Sequence, residues 1–362
     1  MHIVIGAGVI GASLAFHLAR AGAPVAVIDA GRIGGGTSAS SFAWVNSHNK
    51  APRAYHDLNV AGMRAHADLR AAFGHAPWWH GGGTIEWEGI APEAYRRKIA
   101  LLQSWGYAAQ WLDHDQLRAL EPDIDPAAVG DAPVAFFPDD GWVDPVVYSH
   151  ALLADAQRHG AKVFPHLAVT AIRRQGSRVV GVTTADGVSH DADVVINCTG
   201  RWADQAALPA ALRIPLAPSA GLMVFTPSLA HGVQRVIFSP RVHIHPDGAG
   251  RLLICRNDLE VAADAEFDSR SPEVTGLLAA AREVLPLLRG VDAEALRVGV
   301  RAIPADQFPA VGPSPDTEGY YSIVTHSGVT LAPFLGAAAA DEILNNAVRP
   351  ELETFRPRRF FL

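Results

Sequence analysis

His2-Ile3-Val4-Ile5-Gly6-Ala7-Gly8-Val9-Ile10-Gly11-Ala12-Ser13, continued by Leu14 and Leu18, Gly22, and a second apolar run ending at Val27-Ile28-Asp29, decides how the chain is read. An apolar strand leads straight into Gly-x-Gly-x-x-Gly, a helix follows, Gly22 closes it, and a second strand runs over residues 24–28. That order predicts a βαβ unit. The first glycine permits the tight turn, the second lets backbone approach a pyrophosphate, and the third seats helix on strand, with the helix N-terminus turned toward the phosphate charge. Asp29 stands at the end of the second strand, about 20 residues after the glycines, where a carboxylate accepts from ribose hydroxyls. The pattern predicts a dinucleotide site and leaves open whether the ligand is FAD or NAD.

A chain of 362 residues is long enough for two domains. Charged residues make up 19% and apolar ones 49%, a soluble globular balance, and no apolar run reaches the length of a membrane span. The first strand begins at His2, leaving no room for a leader, so a cytoplasmic location is expected. A formal charge of -7, with no run of Lys or Arg, excludes nucleic acid as the expected partner. Cys198 and Cys255 make neither a framework nor a CxxC pair and read as buried free thiols.

After Asp29 the segment 31–44 is dense in glycine and small hydroxyl residues, then turns apolar at Phe42, Ala43 and Trp44. It reads as a cofactor loop rather than a linker. Ser47-His48-Asn49-Lys50 follows it directly, and Lys50 is one of only three lysines in a chain that otherwise uses arginine. Residues 53–73 form one amphipathic helix by spacing, and short helices are expected over 92–104 and 113–120. Asp144-Pro145 predicts a capped helix start, with the helix running to about residue 159. Strands at 162–164, 169–173, 179–184 and 193–197 suggest a small meander, although the run 194–197, ending in Cys198-Thr199-Gly200, also has the unbroken apolar character of a buried parallel strand.

A second β block covers residues 213–258. There Arg241, His243 and His245 alternate with Val242 and Ile244, which predicts three polar side chains on one sheet face, facing either solvent or a substrate. His243 and His245 lack a third ligand at useful spacing, so no metal site is expected. Residues 272–289 read as a helix broken near Pro286, 295–303 as one strand. A last strand at 319–326, the turn Ser327-Gly328 and a helix over 329–344 place another glycine turn at a helix N-terminus, a second position suited to negative charge.

Taken together, the chain resembles the D-amino-acid oxidase, glycine oxidase and sarcosine oxidase family of FAD-dependent amine oxidoreductases. The resemblance is carried by residues 6–11 with Asp29, by 34–43, by Cys198-Thr199-Gly200-Arg201-Trp202-Ala203, and by Gly299-Val300-Arg301 with Asp306, Pro309 and Gly312 leading to His326-Ser327-Gly328-Val329-Thr330-Leu331-Ala332-Pro333. It implies an α/β fold: a Rossmann-like, glutathione-reductase-type FAD-binding domain (1–76, 139–212 and 301–362) with an inserted α+β substrate domain built on an antiparallel sheet (77–138 and 213–300).

By that likeness Gly6, Gly8, Val9, Ile10 and Gly11 hold the pyrophosphate, and Asp29 with Ala30 the adenosine ribose. Gly36, Thr37, Ser38, Ser41, Phe42 and Ala43 pass near pyrophosphate and flavin, and Val169 meets the adenine. Thr199, Gly200 and Trp202 complete the nucleotide site. Ser327, Gly328, Val329 and Thr330 serve the pyrimidine end of the flavin, where two-electron reduction places negative charge. Arg301 is implied to grip the substrate carboxylate, a task its planar fork suits. His48, Lys50 and His326 are candidates for tuning charge near the ring, and His243 stands where amino-acid oxidases often carry a tyrosine. Asp29 replaces the commoner Glu, Ala302 follows Arg301 in place of proline, and Gly299 occupies the place of a flavin-bonding cysteine, so the FAD is expected to be non-covalent.

The expected chemistry is hydride loss from the C–H beside a neutral amine, giving an imine that hydrolyses, with oxygen or another acceptor taking the electrons. Substrate, oligomeric state and need for a partner subunit stay open. An NAD-dependent dehydrogenase explains the first βαβ unit but neither the 34–43 loop nor the C-terminal glycine turn, and a partner-dependent FAD-binding subunit is the remaining alternative.

Overall fold

The computed structural model describes residues 1–205 and 208–361. Ala206, Ala207 and Leu362, which fall inside the expected nucleotide-binding segments, lie outside the described residues.

The opening strand His2–Ile5 is buried on both faces and pairs in parallel with Val25–Ile28 on one side and Val194–Asn197 on the other. The six-stranded sheet built on it runs Ala310–Pro313, Tyr320–Val324, Val194–Asn197, His2–Ile5, Val25–Ile28, Lys162–Phe164. Only Ala310–Pro313 runs antiparallel to its neighbour. Helix Val9–Arg20 packs between Gly328–Asn345 and Pro145–Arg158, which is why it is apolar almost all round, with Ala12, Leu14, Ala15 and Leu18 inaccessible. Gly22, at φ +79°, ends it in the left-handed conformation that glycine adopts without strain. Asp144 caps Pro145–Arg158, accepting from the N–H groups of Val146 (3.0 Å) and Val147 (2.9 Å).

The expected meander is redrawn. Lys162–Phe164 and Val194–Asn197 belong to the parallel sheet, because their neighbours in register are Ala26–Ile28 and His2–Ile5. The separate antiparallel sheet consists of Val169–Gln175, Arg178–Thr184 and Ser189–Asp191.

An eight-stranded sheet makes the second layer, in the order Ala295–Val300, Ala220–Phe225, Leu252–Glu260, His243–Pro246, Val236–Phe238, Thr84–Glu86, Val134–Phe137, Gln110–Leu112. It is antiparallel except where Val236–Phe238 meets Thr84–Glu86. Residues 295–303 are not one strand. The ladder with Ala220–Phe225 stops at Val300, and Ile303–Pro304 pairs instead with Leu216–Ala217, so Arg301 sits at the corner between two ladders. The whole is a mixed α/β fold.

Four hydrogen bonds among the described residues join the 37–45 segment to this second sheet: Thr37 Oγ1 to the Val300 carbonyl (2.8 Å), Arg297 Nη1 to the Ala39 carbonyl (2.9 Å), Trp44 Nε1 to Thr84 Oγ1 (2.9 Å), and the His245 ring to the Phe42 carbonyl (2.8 Å). Helix Arg53–Phe73 crosses Gly328–Asn345 so closely at Gly62 that a Cβ there would lie 2.4 Å from the Thr330 carbonyl oxygen. Gly62→Ala is therefore expected to force the two helices apart at an overpacking cost of about 1–3 kcal/mol, read as a lowered melting temperature.

Candidate active site

The glycine turn is tightly packed. Gly6 adopts φ +107°, and a Cβ on it would meet the Cys198 carbonyl oxygen at 2.4 Å. A Cβ on Gly11 would stand 1.9 Å from the Gly6 carbonyl oxygen, so this glycine brings the helix down onto the turn. Gly11 lies behind the ligand-facing surface rather than on it; its contribution is packing, not contact. Asp29 accepts from the Ala7 N–H (2.6 Å) and the Gly31 N–H (2.7 Å), which pins the end of the second strand to the turn. Ser38 Oγ accepts from the Val9 N–H at 3.2 Å.

These groups open onto a cavity of about 690 Å³, within the usual range for a site enclosing an organic ligand. Gly6, Gly8, Val9, Ile10, Asp29, Ala30, Gly36, Thr37, Ser38, Ser41, Val169, Thr199, Gly200 and Trp202 line it from the N-terminal half of the chain. Gly328 and Val329 line it from the far end of the sequence, and a Cβ on Gly328 would come within 3.9 Å of Ile10 Cγ1. The two glycine turns thus face one tract. Both helices that start here, Val9–Arg20 and Gly328–Asn345, carry no acidic residue in their first turn, so no side-chain carboxylate offsets their dipoles, although the Val9 N–H donates to Ser38 and the Gly328 N–H to the His326 carbonyl. Arg201 lines the same cavity with a buried Nε that has no hydrogen-bond partner among the described residues. Residues of this kind fit a dinucleotide: a side-chain-free turn for the pyrophosphate, an acid for a ribose, and a second helix terminus at the opposite end.

A second cavity of about 280 Å³ adjoins the first, and Thr37, Ser41, Ala302, His326 and Val329 line both. Phe42, Ala43, Ser327 and Thr330, expected at the cofactor, face this second cavity. Leu222, Met223 and Cys255, from two adjacent strands, give it an apolar wall, and Lys50, Asn49, Arg256 and Arg301 supply polar groups. Arg301 Nη1 donates to Ser219 Oγ (2.8 Å) and pairs with Glu260. Its Nη2 lies over Gly221, where a Cβ would approach within 2.5 Å, so the guanidinium needs a glycine beneath it. Burial, then the charges of Lys50 and Arg301, push the His326 imidazole down to about 3. It is neutral at physiological pH. Burial pulls the Lys50 ammonium down to about 8. Both cysteines are buried, yet Cys198 faces the larger cavity and Cys255 the smaller; burial pushes both thiols up, Cys255 to about 12, so neither is a nucleophile at neutral pH.

Two of the expected catalytic residues are placed elsewhere. His48 is fully buried behind the smaller cavity, with Nε2 2.9 Å from Glu86 Oε2 and Nδ1 3.2 Å from Asp140 Oδ2, its ring stacked on Phe137. Burial opposes its charged form, but Glu86 and Asp140 outweigh that and raise it. Burial likewise works against the Glu86 carboxylate, and His48 with Lys98 outweighs it and holds the carboxyl low. Tyr107 donates to Asp140 at 2.5 Å, and Lys98 Nζ donates to Glu86 at 3.0 Å. His243, also buried, stacks on Phe238 with centroids 3.7 Å apart and lines neither cavity. Arg241 falls outside the strand and pairs with Glu283. His243 and His245 therefore lie on a face packed under the 37–45 segment, neither solvated nor presented to substrate, whereas Arg241 is exposed.

The His48 cluster has a measurable consequence. Glu86→Ala leaves a buried imidazolium with one partner fewer and is expected to cost about 3–5 kcal/mol of stability. The Glu86 contribution is fully present above its unfolded carboxyl value and fades as pH falls, whereas that of His48 is full below its unfolded value and fades as pH rises through the higher folded one. Thermal melts across pH should accordingly show the wild-type advantage over Glu86→Ala shrinking toward acid.

Sequence reasoning missed Asn49, Leu222, Met223, Cys255, Arg256 and Glu260 at or beside the smaller cavity. The signal available was weak: a polar tract, Arg256-Asn257-Asp258, continuing an apolar strand that Ala220–Phe225 separates from the strand leading into Arg301.

The FAD dependent oxidoreductase family matches residues 2–342. Glycine oxidase of Bacillus licheniformis is 26% identical over 369 residues, covering 99% of this chain and 96% of that protein. The hydrogen cyanide synthase subunit HcnC of Pseudomonas aeruginosa is 26% identical over 407 residues, covering 99% and 95%. Among solved structures, glycine oxidase from Bacillus cereus superposes with a TM-score of 0.84 at 23% identity, covering 96% of this chain and 95% of that one.

Proposed function

The chain belongs to the family of FAD dependent oxidoreductases, and from that premise we propose that it oxidises the C–N bond of a small amino acid or secondary amine bound in the 280 Å³ cavity. FAD, rather than a nicotinamide dinucleotide, is the cofactor of this family, and when bound it supplies the hydride acceptor. The observation that carries the reading is the placement of Arg301: a guanidinium on the wall of a cavity that shares His326 and Val329 with the nucleotide tract.

In this reading Arg301 takes the substrate carboxylate on the Nη2 side of its fork, where the Asn257 carbonyl accepts at 3.3 Å, Nη1 being held by Ser219 and Glu260. Anchoring the carboxylate fixes the adjacent carbon, and the apolar wall of Leu222, Met223 and Phe42 confines the rest of the molecule. Neutral His326 stands at the junction without adding charge. The product imine hydrolyses in water. The amide N–H groups at the start of Gly328–Asn345 stabilise negative charge at the pyrimidine end of the site.

We further assign residues 1–76, 139–212 and 301–361 to a Rossmann-like, glutathione-reductase-type nucleotide-binding domain, and 77–138 with 213–300 to the substrate domain. All strands of the six-stranded sheet come from the first set, all strands of the eight-stranded sheet from the second. Non-covalent attachment of the FAD is supported at Gly299, where any Cβ would stand 2.3 Å from the Ser40 carbonyl oxygen, leaving no room for a thioether-forming side chain.

An anaerobic bleaching screen tests the proposal. Purified yellow protein is mixed without oxygen with glycine, sarcosine, D-amino acids, proline and opine-type secondary amines, and air is then readmitted with peroxide detection. At least one carboxylated amine is expected to bleach it. A second reading, a subunit that needs a partner, is favoured by the relationship to HcnC, itself a subunit by name; bleaching only when another chain is added would select it.

A further inference from the structure

The smaller cavity holds more positive charge than one carboxylate requires. Arg301 is paired with Glu260, and Arg256 with Asp258 at 2.6 Å. Lys50 has no carboxylate partner among the described residues. Its ammonium offers three donors, and the half-buried side chain lies over the Tyr55 ring, 6.0 Å from its centroid. Lys50 lines the smaller cavity and not the nucleotide tract. Lys50, Arg301 and His326 line the same small cavity, and both cations depress the His326 imidazole.

The lysine is also held from behind. Its N–H donates to the Ser47 carbonyl (3.2 Å), the Ser47 N–H donates to Tyr107 Oη (2.9 Å), and Ser47 Oγ donates to the His56 carbonyl (2.8 Å). Asn49 next to it accepts from Lys98 (2.6 Å) and donates to Glu86 (3.3 Å), so the buried charge cluster anchors the chain at this point. A solvated surface lysine has no need of such a mounting.

We propose that Lys50 is a second carboxylate anchor, and that the amines this site prefers carry two carboxylates, one met by Arg301 and the other by Lys50. The proposal rests on the functional reading above for Arg301 and adds the substrate class. It accounts for a cavity-lining lysine that has no carboxylate partner among the described residues, and for its fixed backbone.

Thioethers that replace the reacting nitrogen by sulfur are suitable probes, since they keep the acid groups and have no C–N bond to oxidise. Titration calorimetry on the FAD-loaded protein compares 2,2′-thiodiacetate with (methylthio)acetate. The diacid is expected to bind at least about tenfold tighter, each tenfold being about 1.4 kcal/mol. In Lys50→Met that ratio should fall to about twofold with (methylthio)acetate affinity unchanged, while Lys50→Arg keeps most of it. Unaltered FAD content and melting temperature in Lys50→Met would show that the fold is intact. Equal affinities in the wild type, a preference that survives Lys50→Met, or an equal loss for both acids would each overturn the proposal. Arg301→Met separates the two levels: if it leaves both acids unaffected, the carboxylate role of Arg301 falls, while the diacid ratio still decides Lys50. If neither acid binds the wild type, both readings fall.

Discussion

Arg301→Met is expected to lower kcat/KM for carboxylated amines by about a hundredfold, carried mainly by KM, with FAD content unchanged. The guanidinium sits at the corner where the Ala295–Val300 ladder ends, its Nη1 held by Ser219 and Glu260 and its Nη2 over Gly221. Removing one partner of a buried, hydrogen-bonded charge pair costs about 2–5 kcal/mol, and a hundredfold corresponds to roughly 3 kcal/mol. Methionine keeps the apolar stem of the side chain, while the part of the fork that lies over Gly221 is removed together with the charge. Steady-state kinetics with one carboxylated amine and its decarboxylated counterpart is the check: the loss should be confined to the acid. An unchanged apparent affinity for every carboxylated amine would remove Arg301 from the role.

Gly11→Val should have the largest effect on the cofactor. Even the first carbon of a side chain at position 11 would lie 1.9 Å from the Gly6 carbonyl oxygen and 3.2 Å from Val4 Cγ1, so the helix has to lift off the turn that it caps. Lifting it moves the N–H groups of the first helical turn away from the pyrophosphate position and withdraws Val9 N–H from Ser38. The purified variant is expected to be colourless, with FAD affinity reduced by at least about a hundredfold. Gly22→Ala provides the contrast. No atom lies within 4 Å of a Cβ there, and the only penalty is the left-handed backbone at φ +79°, about 1 kcal/mol. That variant should stay yellow. The ratio of flavin to protein absorbance, with melting temperatures for both, separates a local defect in the cofactor site from general destabilisation.

The nucleotide end of the molecule was legible because its chemistry is local. Gly6, Gly8, Gly11 and Asp29 lie within one βαβ unit, and the roles of turn, close approach and helix seating follow from spacing. Gly328 and Val329 were legible for the same reason, since a strand, a glycine turn and a helix start are contiguous in sequence. The smaller cavity is assembled differently. Asn49, Met223, Cys255 and Arg301 come from four separate elements that meet only when the eight-stranded sheet pairs. His48 and His243 illustrate the cost of reading them singly. Each looks like a titratable residue beside a cofactor loop or on a polar face, but one is fixed between Glu86 and Asp140 and the other is stacked on Phe238, contacts across 38 to 92 residues of chain and, for the last, five. Alternation at 241–245 was real; what it faced depended on the 37–45 segment packed over it.

The account stands on two distant glycine turns opening onto a single tract that continues, past His326, into the cavity holding Arg301 and Lys50. A crystal structure of the FAD-loaded protein with bound 2,2′-thiodiacetate tests it most directly. The adenosine half should lie along Gly6, Gly8 and Asp29, the ring system should reach Thr37, Ser41 and Val329, and one carboxylate should rest on Arg301. Density for the ring directed away from Val329, or an acid bound with no contact to Arg301, would contradict it.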